Sequence, residues 1–148
     1  MSDTPSRESS RLHDENVVLW LRLARVYQKI DRLSTEHLHV WGLSVALFDV
    51  IAQIGGVEGQ TQQELADRLL VTKGNVSQLL AKLESRGIIR RTEDGRALRV
   101  YLTSEGRSLF DAVVPAHERF ISECFRALEP QEAHIVRHAL RRVDHCLE

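Results

Sequence analysis

Residues 61–87, TQQELADRLLVTKGNVSQLLAKLESRG, place two helix-start signals, two apolar stripes and a closing glycine in one short stretch, and few folds accommodate helices this brief and this close together. Thr61 with Glu64 three positions on is a capping box, in which hydroxyl and carboxylate each satisfy a backbone N–H at the helix start. A helix is predicted from there to about residue 70, burying Leu65, Ala66 and Leu69. Thr72 is read as the cap of a second helix, with Val71 left in the turn, and Gly87 can take the left-handed conformation that closes it after about Ser85. At about 100° per residue, Val76, Leu79, Leu80 and Leu83 form an inward stripe. Gly74, Asn75, Gln78, Ala81, Lys82 and Ser85 point the other way, with Ser77 at the flank.

That outward face is polar, small and poor in acid. Amides and hydroxyls can hydrogen-bond base edges, small residues permit close approach, and the lack of carboxylates avoids repelling phosphate. Two short helices joined by a tight turn are a helix-turn-helix. The next residues extend it: 88–92 and 97–102 are strand-like, and Glu93-Asp94-Gly95-Arg96 between them reads as a hairpin turn with a basic tip. An arginine on such a wing can enter a narrow minor groove, and Asp94 is expected to orient the Arg96 guanidinium by a paired hydrogen bond.

The overall charge of −1 conceals a strong pattern. Residues 68–99 carry eight basic side chains against three acidic ones, while both flanks are net acidic. A basic centre between acidic flanks can attract a polyanion at one surface and discourage binding elsewhere. With 43% hydrophobic and 28% charged residues, the chain has the composition of a globular protein able to bury a core.

Residues 1–11 are polar, contain Pro5, and are read as a disordered tail. From 14 to about 37, Trp20, Leu23, Tyr27 and Ile30, with Leu19, Val26 and Leu33 on the neighbouring stripe, predict one long helix. Its apolar surface is too broad for one side of a small domain and implies contact with both its own core and another chain. Gly42 ends it, Ser44 caps a second helix to about Ile54, and Gly55-Gly56 and Gly59 are read as a loop. Thr103 caps a long helix bearing Leu109, Phe110, Val113, Val114, Phe120, Ile121, Phe125 and Leu128, with Pro115 expected to bend it. Pro130 opens a final helix carrying Ala133, Ile135, Val136, Ala139, Leu140, Val143 and Leu147. Both ends of the chain thus offer apolar helical surface to a partner.

In the order TQQELADRL (61–69), VTKGNVSQLLAKLESRGIIRR (71–91), DGR (94–96) and VYLTSEGR (100–107), the sequence resembles transcriptional regulators of the MarR family over about residue 14 to the C-terminus. The resemblance implies a mainly α fold with a small β-hairpin wing (α+β), in which residues 44–102 are a winged helix-turn-helix lobe and 12–40 with 103–148 a helical dimerisation region. It further implies an obligate homodimer, with Lys73, Asn75, Ser77 and Gln78 facing DNA and Asp94 and Arg96 at the wing tip. Gly95 stands where many relatives carry a second arginine. The candidate DNA-contacting set is Thr61, Gln62, Thr72, Lys73, Gly74, Asn75, Ser77, Gln78, Lys82, Asp94, Arg96 and Arg99. In a two-fold dimer the recognition helices would stand about 34 Å apart, one turn of B-DNA, so the operator is expected to be an inverted repeat. Trp20, Tyr27, His39, Trp41 and Phe48 are the candidate lining of an effector cavity, the usual effector region of the family, with core packing the plainer reading of each aromatic.

Other features carry less. His134, His138 and His145 share one side of the last helix, but no carboxylate or cysteine completes a metal-ligand set, and no cofactor is expected. Cys124 and Cys146 have no paired spacing and are read as reduced thiols; a thiol redox switch at either is an alternative mode of regulation. Catalytic signatures such as G-x-S-x-G, a P-loop or H-E-x-x-H are missing from the sequence, so no enzyme is expected. No apolar run reaches the roughly 20 residues of a membrane span, the first residues lack a secretion signal's apolar core, and a cytoplasmic location is expected. The expectation is a homodimeric regulator, a repressor released from a palindromic operator by a small anionic or phenolic ligand. A winged helix that binds proteins rather than DNA is the alternative from another class.

Overall fold

The computed structural model of the chain describes residues 14–69 and 73–148, which form six α-helices and one two-stranded antiparallel hairpin. The expected N-terminal tail, the Thr72 cap and the turn at Val71 lie outside the described residues. Helix α1, Glu15–Leu38, starts at Asp14, whose carboxylate accepts the Asn16 N–H at 2.9 Å. One turn of 3-10 helix, His39–Trp41, ends at Gly42, and the chain bends by 72° into α2, Val45–Gly56. The Ser44 hydroxyl caps α2 by accepting the Leu47 N–H at 3.1 Å.

Helix α2 runs through Gly55 and Gly56, where a loop was expected. The reason is tertiary: the Phe110 ring lies so close to Gly55 that a Cβ there would collide with it. Packing of this kind overrides the weak helix propensity of glycine, which costs about 1 kcal/mol relative to alanine.

Helix α3, Gln62–Arg68, has both bonds of the capping box: Glu64 N–H to the Thr61 hydroxyl at 3.1 Å, and Thr61 N–H to the Glu64 carboxylate at 2.9 Å. Helix α4, Lys73–Ser85, closes at Gly87 with φ of +74°. Strands β1, Ile89–Asp94, and β2, Ala97–Leu102, pair with Asp94 opposite Ala97, leaving Gly95-Arg96 as a two-residue turn. Gly95 has φ of +62° and, among the described residues, no non-glycine residue has positive φ, the pattern of a II′ hairpin turn. A residue with a side chain at position 95 would be strained in this turn.

Helix α5, Ser104–Cys124, is capped by Thr103, whose hydroxyl accepts the Gly106 N–H at 3.0 Å and donates to the Gly87 carbonyl at 2.5 Å, with the Ile88 carbonyl 3.1 Å away. Gly106 lies against the Ile88 carbonyl, where a Cβ has no room. The spacing of Leu102-Thr103 and Gly106 thereby docks α5 onto the start of β1. Helix α5 ends at Cys124, short of Phe125 and Leu128, which its apolar pattern had included; a turn there carries Leu128 N–H to the Phe125 carbonyl at 3.0 Å. Helix α6, Pro130–Cys146, begins with its proline in the first turn, as predicted.

Among the described residues the buried apolar cluster runs from Leu43 to Leu102, joined from outside that range by Leu38 and Val113. Ile51, Ile54, Leu65, Leu80 and Leu83 are fully buried in it. Each such side chain contributes about 1.5–3 kcal/mol by leaving water. By contrast, every residue of α6 is exposed, and α1 buries only Ser34 and Leu38.

Candidate nucleic-acid interface

Helix α4 has the two faces its spacing predicts. Val76, Leu80 and Leu83 are buried and Leu79 is half-buried, while Asn75, Ser77, Gln78, Ala81, Lys82 and Ser85 are exposed. Lys73 and Gly74 form its first two positions, and Thr72 falls outside the described residues. Gln62 at the start of α3 reaches this face: its Nε2 donates to Ser77 Oγ at 3.3 Å. Its Oε1 accepts from Arg91 Nη1 at 3.4 Å. Arg91 on β1 is held in turn by Glu84 of α4, donating from Nε at 3.3 Å and from Nη2 at 3.0 Å. The Arg91 hydrogen bond is the main reason the Glu84 carboxyl sits below its ordinary pKa. Glu84 is therefore ionised at neutral pH, but its charge is spent on Arg91 rather than presented to a phosphate.

At the wing the arrangement differs from the expectation. Asp94 does not orient Arg96; it accepts from Arg99 Nε at 2.6 Å. The register explains why: Asp94 faces Ala97, so the residue two further along β2 projects on the same side of the ribbon within reach of a long side chain. Arg99 Nη1 also donates to the Gly59 carbonyl at 2.7 Å, and residues 59–61 run beside β2 through Val100 and a bridge between Thr61 and Arg99. Arg99 thus ties the wing to the α3 cap. Arg96 is exposed at the turn and makes no hydrogen bond or ion pair among the described residues. On the opposite strand positions, Arg90 stacks over Tyr101 at 4.4 Å from its ring centroid.

A second cluster lies where α1, α2 and α5 meet. His37 Nδ1 and His117 Nδ1 are 3.0 Å apart, so one ring donates and the other accepts. Phe120 stacks on His37 with centroids 4.5 Å apart, Phe48 meets His117 edge-on at 4.5 Å, and Trp41 lies 5.3 Å from His37. His117 is only 5% exposed; burial, and then the neighbouring His37, push its pKa down and keep it neutral. Asp49, next to Phe48 on α2, is half-buried, and that burial pushes its carboxyl up. Of the effector residues expected from sequence, the structure brings Trp41 and Phe48 into this cluster. Trp20 and Tyr27, each 64% exposed, and His39, also exposed, make no ring contact with it. The missed members are His37, His117 and Phe120. Their signals were present in the spacing of His37 and Trp41, one helical turn apart, and of Val113 and His117 on the inner face of α5.

Among the described residues no group of three or more metal-ligating side chains converges; the His134 and His138 rings lie tilted to one another with centroids 4.4 Å apart on exposed α6, and His145 Nδ1 lies 3.3 Å from Glu148. Cys124 is half-buried and Cys146 exposed, both as free thiols. No single helix among the described residues is long and apolar enough to cross a membrane.

The sequence model of the MarR family matches residues 41–99, from the 3-10 turn to the wing. An HTH-type transcriptional regulator from Bacillus cereus is 34% identical over 127 residues, 85% of this chain and 86% of that protein. The chain belongs to the MarR family. Its fold superposes on a cysteine-to-serine mutant of MarR from Escherichia coli, solved with operator DNA, with a TM-score of 0.79 and 27% identity over 90% of this chain and 99% of that one. It also matches the organohalide-sensing regulator RdhR in its 2,4-dichlorophenol-bound form, with a TM-score of 0.82 at 18% identity, over 97% and 89% of the two chains. As a MarR-family member the chain is a winged-helix DNA-binding transcriptional regulator; its family and relatives are regulators rather than enzymes.

Proposed function

We propose that this MarR-family chain acts in the cytoplasm as a homodimer that represses transcription by occupying an inverted-repeat operator, and that a small anionic aromatic ligand releases it. The observation that carries the reading is the carboxylate-poor exposed face of α4, with Asn75, Ser77, Gln78 and Lys82, beside a wing whose tip arginine is unengaged. Amides and hydroxyls read base edges in the major groove, and Arg96 is free to enter the minor groove. Thr61, Gln62, Lys73 and Gly74 flank that face, and Arg99 and Asp94 brace the wing.

Dimerisation is supported by what the protomer leaves uncovered. Val17, Val18, Leu21, Trp20 and Tyr27 of α1 and Ile135, Val136, Leu140 and Val143 of α6 are all exposed. Contiguous apolar surface of this kind marks an association site. Ligand response is supported by the His37, Trp41, Phe48, His117 and Phe120 cluster, where aromatic rings can sandwich a planar ligand and an imidazole can donate to its carboxylate or phenolate. The cluster lies between the helical arms and the DNA-reading lobe. A ligand acts there only if it binds one relative arrangement of the two better than the other.

Gel-shift titration of the intergenic DNA beside the gene, with random duplex as competitor at moderate salt, tests this. Preferential binding as a dimer, weakened by members of a benzoate and phenol panel, is expected. Equal affinity for both duplexes would remove sequence-specific repression from consideration.

A further inference from the structure

We propose that Arg91 is a positioning residue of the DNA-reading surface, which sets Ser77 to donate its hydroxyl proton to an acceptor on a base edge. The inference rests on the reading of the α4 face as the DNA-contacting surface. Three elements join in one relay: Glu84 of α4 fixes the Arg91 guanidinium by two hydrogen bonds, Arg91 Nη1 donates to Gln62 Oε1, and Gln62 Nε2 donates to Ser77 Oγ.

The direction of every bond follows from chemistry. A guanidinium has donors only, so the Gln62 amide must turn its oxygen towards Arg91 and its NH2 towards Ser77. Ser77 Oγ then accepts, and its proton is the group it has left to offer. Without Arg91 the Gln62 amide can rotate by half a turn, present its oxygen to Ser77 and take that proton for itself. The hydroxyl would then face the groove as an acceptor. Arg91 thereby decides the polarity of a hydroxyl it does not touch.

Ser77 lies in the N-terminal half of α4 between Asn75 and Gln78, the part of a recognition helix that meets bases. A donor there favours guanine N7 or O6, adenine N7 and thymine O4, and disfavours the amino groups of cytosine and adenine. Phosphate contact at Ser77 would carry no such preference.

Selection from a randomised duplex pool, read by sequencing, tests the relay. The parent should enrich an inverted motif with one position per half-site that demands an acceptor. Arg91→Lys keeps the charge but loses the two-pronged hold on Glu84. It should relax preference at that position alone, by about three- to tenfold, the scale of one net hydrogen bond, with an unchanged salt dependence. Ser77→Ala should relax the same position, and adding Arg91→Lys to Ser77→Ala should change nothing further. Glu84→Gln, which loosens Arg91 without removing it, should show the same pattern more weakly and serves if Arg91→Lys does not fold. An unchanged base profile, a uniform loss at all positions, or an Arg91→Lys effect that persists without Ser77 would overturn the relay alone. A parent that enriches no sequence would overturn the DNA reading as well.

Discussion

The lobe formed by α2 to β2 and the two arms formed by α1 and α6 obey opposite rules. Nearly all buried apolar side chains lie between Leu43 and Leu102, while the arms hold their leucines, valines and Trp20 in the open. Yet the arms are well-formed helices, with an Asp14 cap on α1 and a reciprocal Glu129 and Glu132 box on α6. Local capping alone does not hold long helices in water; most helical stability in proteins comes from packing an apolar face. The lobe buries its apolar side chains within one chain, and the arms leave uncovered the surface that the proposed dimer would bury.

Substitutions can break that contrast. Leu140→Glu with Val143→Glu places two charges on the α6 stripe. Light scattering should then give the mass of one chain where the parent gives two, with the lobe's secondary structure retained. Loss of the lobe along with the dimer would show that the two regions are not separable. Within the lobe, Leu80→Ala empties a fully buried position and should destabilise by about 2–5 kcal/mol in chemical unfolding, whereas Ala81, next to it and exposed, should tolerate serine with little change.

Smaller effects sharpen the comparison at the lobe's surface and at the junction. Arg96→Ala should leave unfolding unaltered and lower the slope of log affinity against log salt by about one phosphate's worth, near 0.9. Asp94→Ala should instead loosen Arg99 and the wing that it braces. Where arms and lobe meet, His117 is held neutral by burial. A base with a depressed folded pKa leaves the unfolded chain binding more protons at low pH, so its contribution is full above its ordinary value of 6.5 and declines as pH falls below it. Urea unfolding at pH 7.5 and 5.5 should show that decline, and His117→Phe should flatten it.

Local chemistry was legible in the sequence. The Thr61 and Glu64 box, the Gly87 stop, the hairpin and the α4 stripe depend on residues a few positions apart, and each is found where it was read. What depended on distant neighbours was not. Gly55 is helical where the Phe110 ring packs against it, and His37 meets His117 across 80 positions of chain. Asp94 takes Arg99 because the strand register, not adjacency in sequence, decides which side chains share a face.

The central claim is that the exposed side of α4 reads sequence. Its most direct measurement is the affinity of the parent and of an Asn75→Ala, Gln78→Ala double variant for a selected duplex and for a random one. The double variant should lose about 1–3 kcal/mol of discrimination per good base contact while keeping its affinity for random DNA and its fold. A double variant that discriminates as well as the parent would contradict the account.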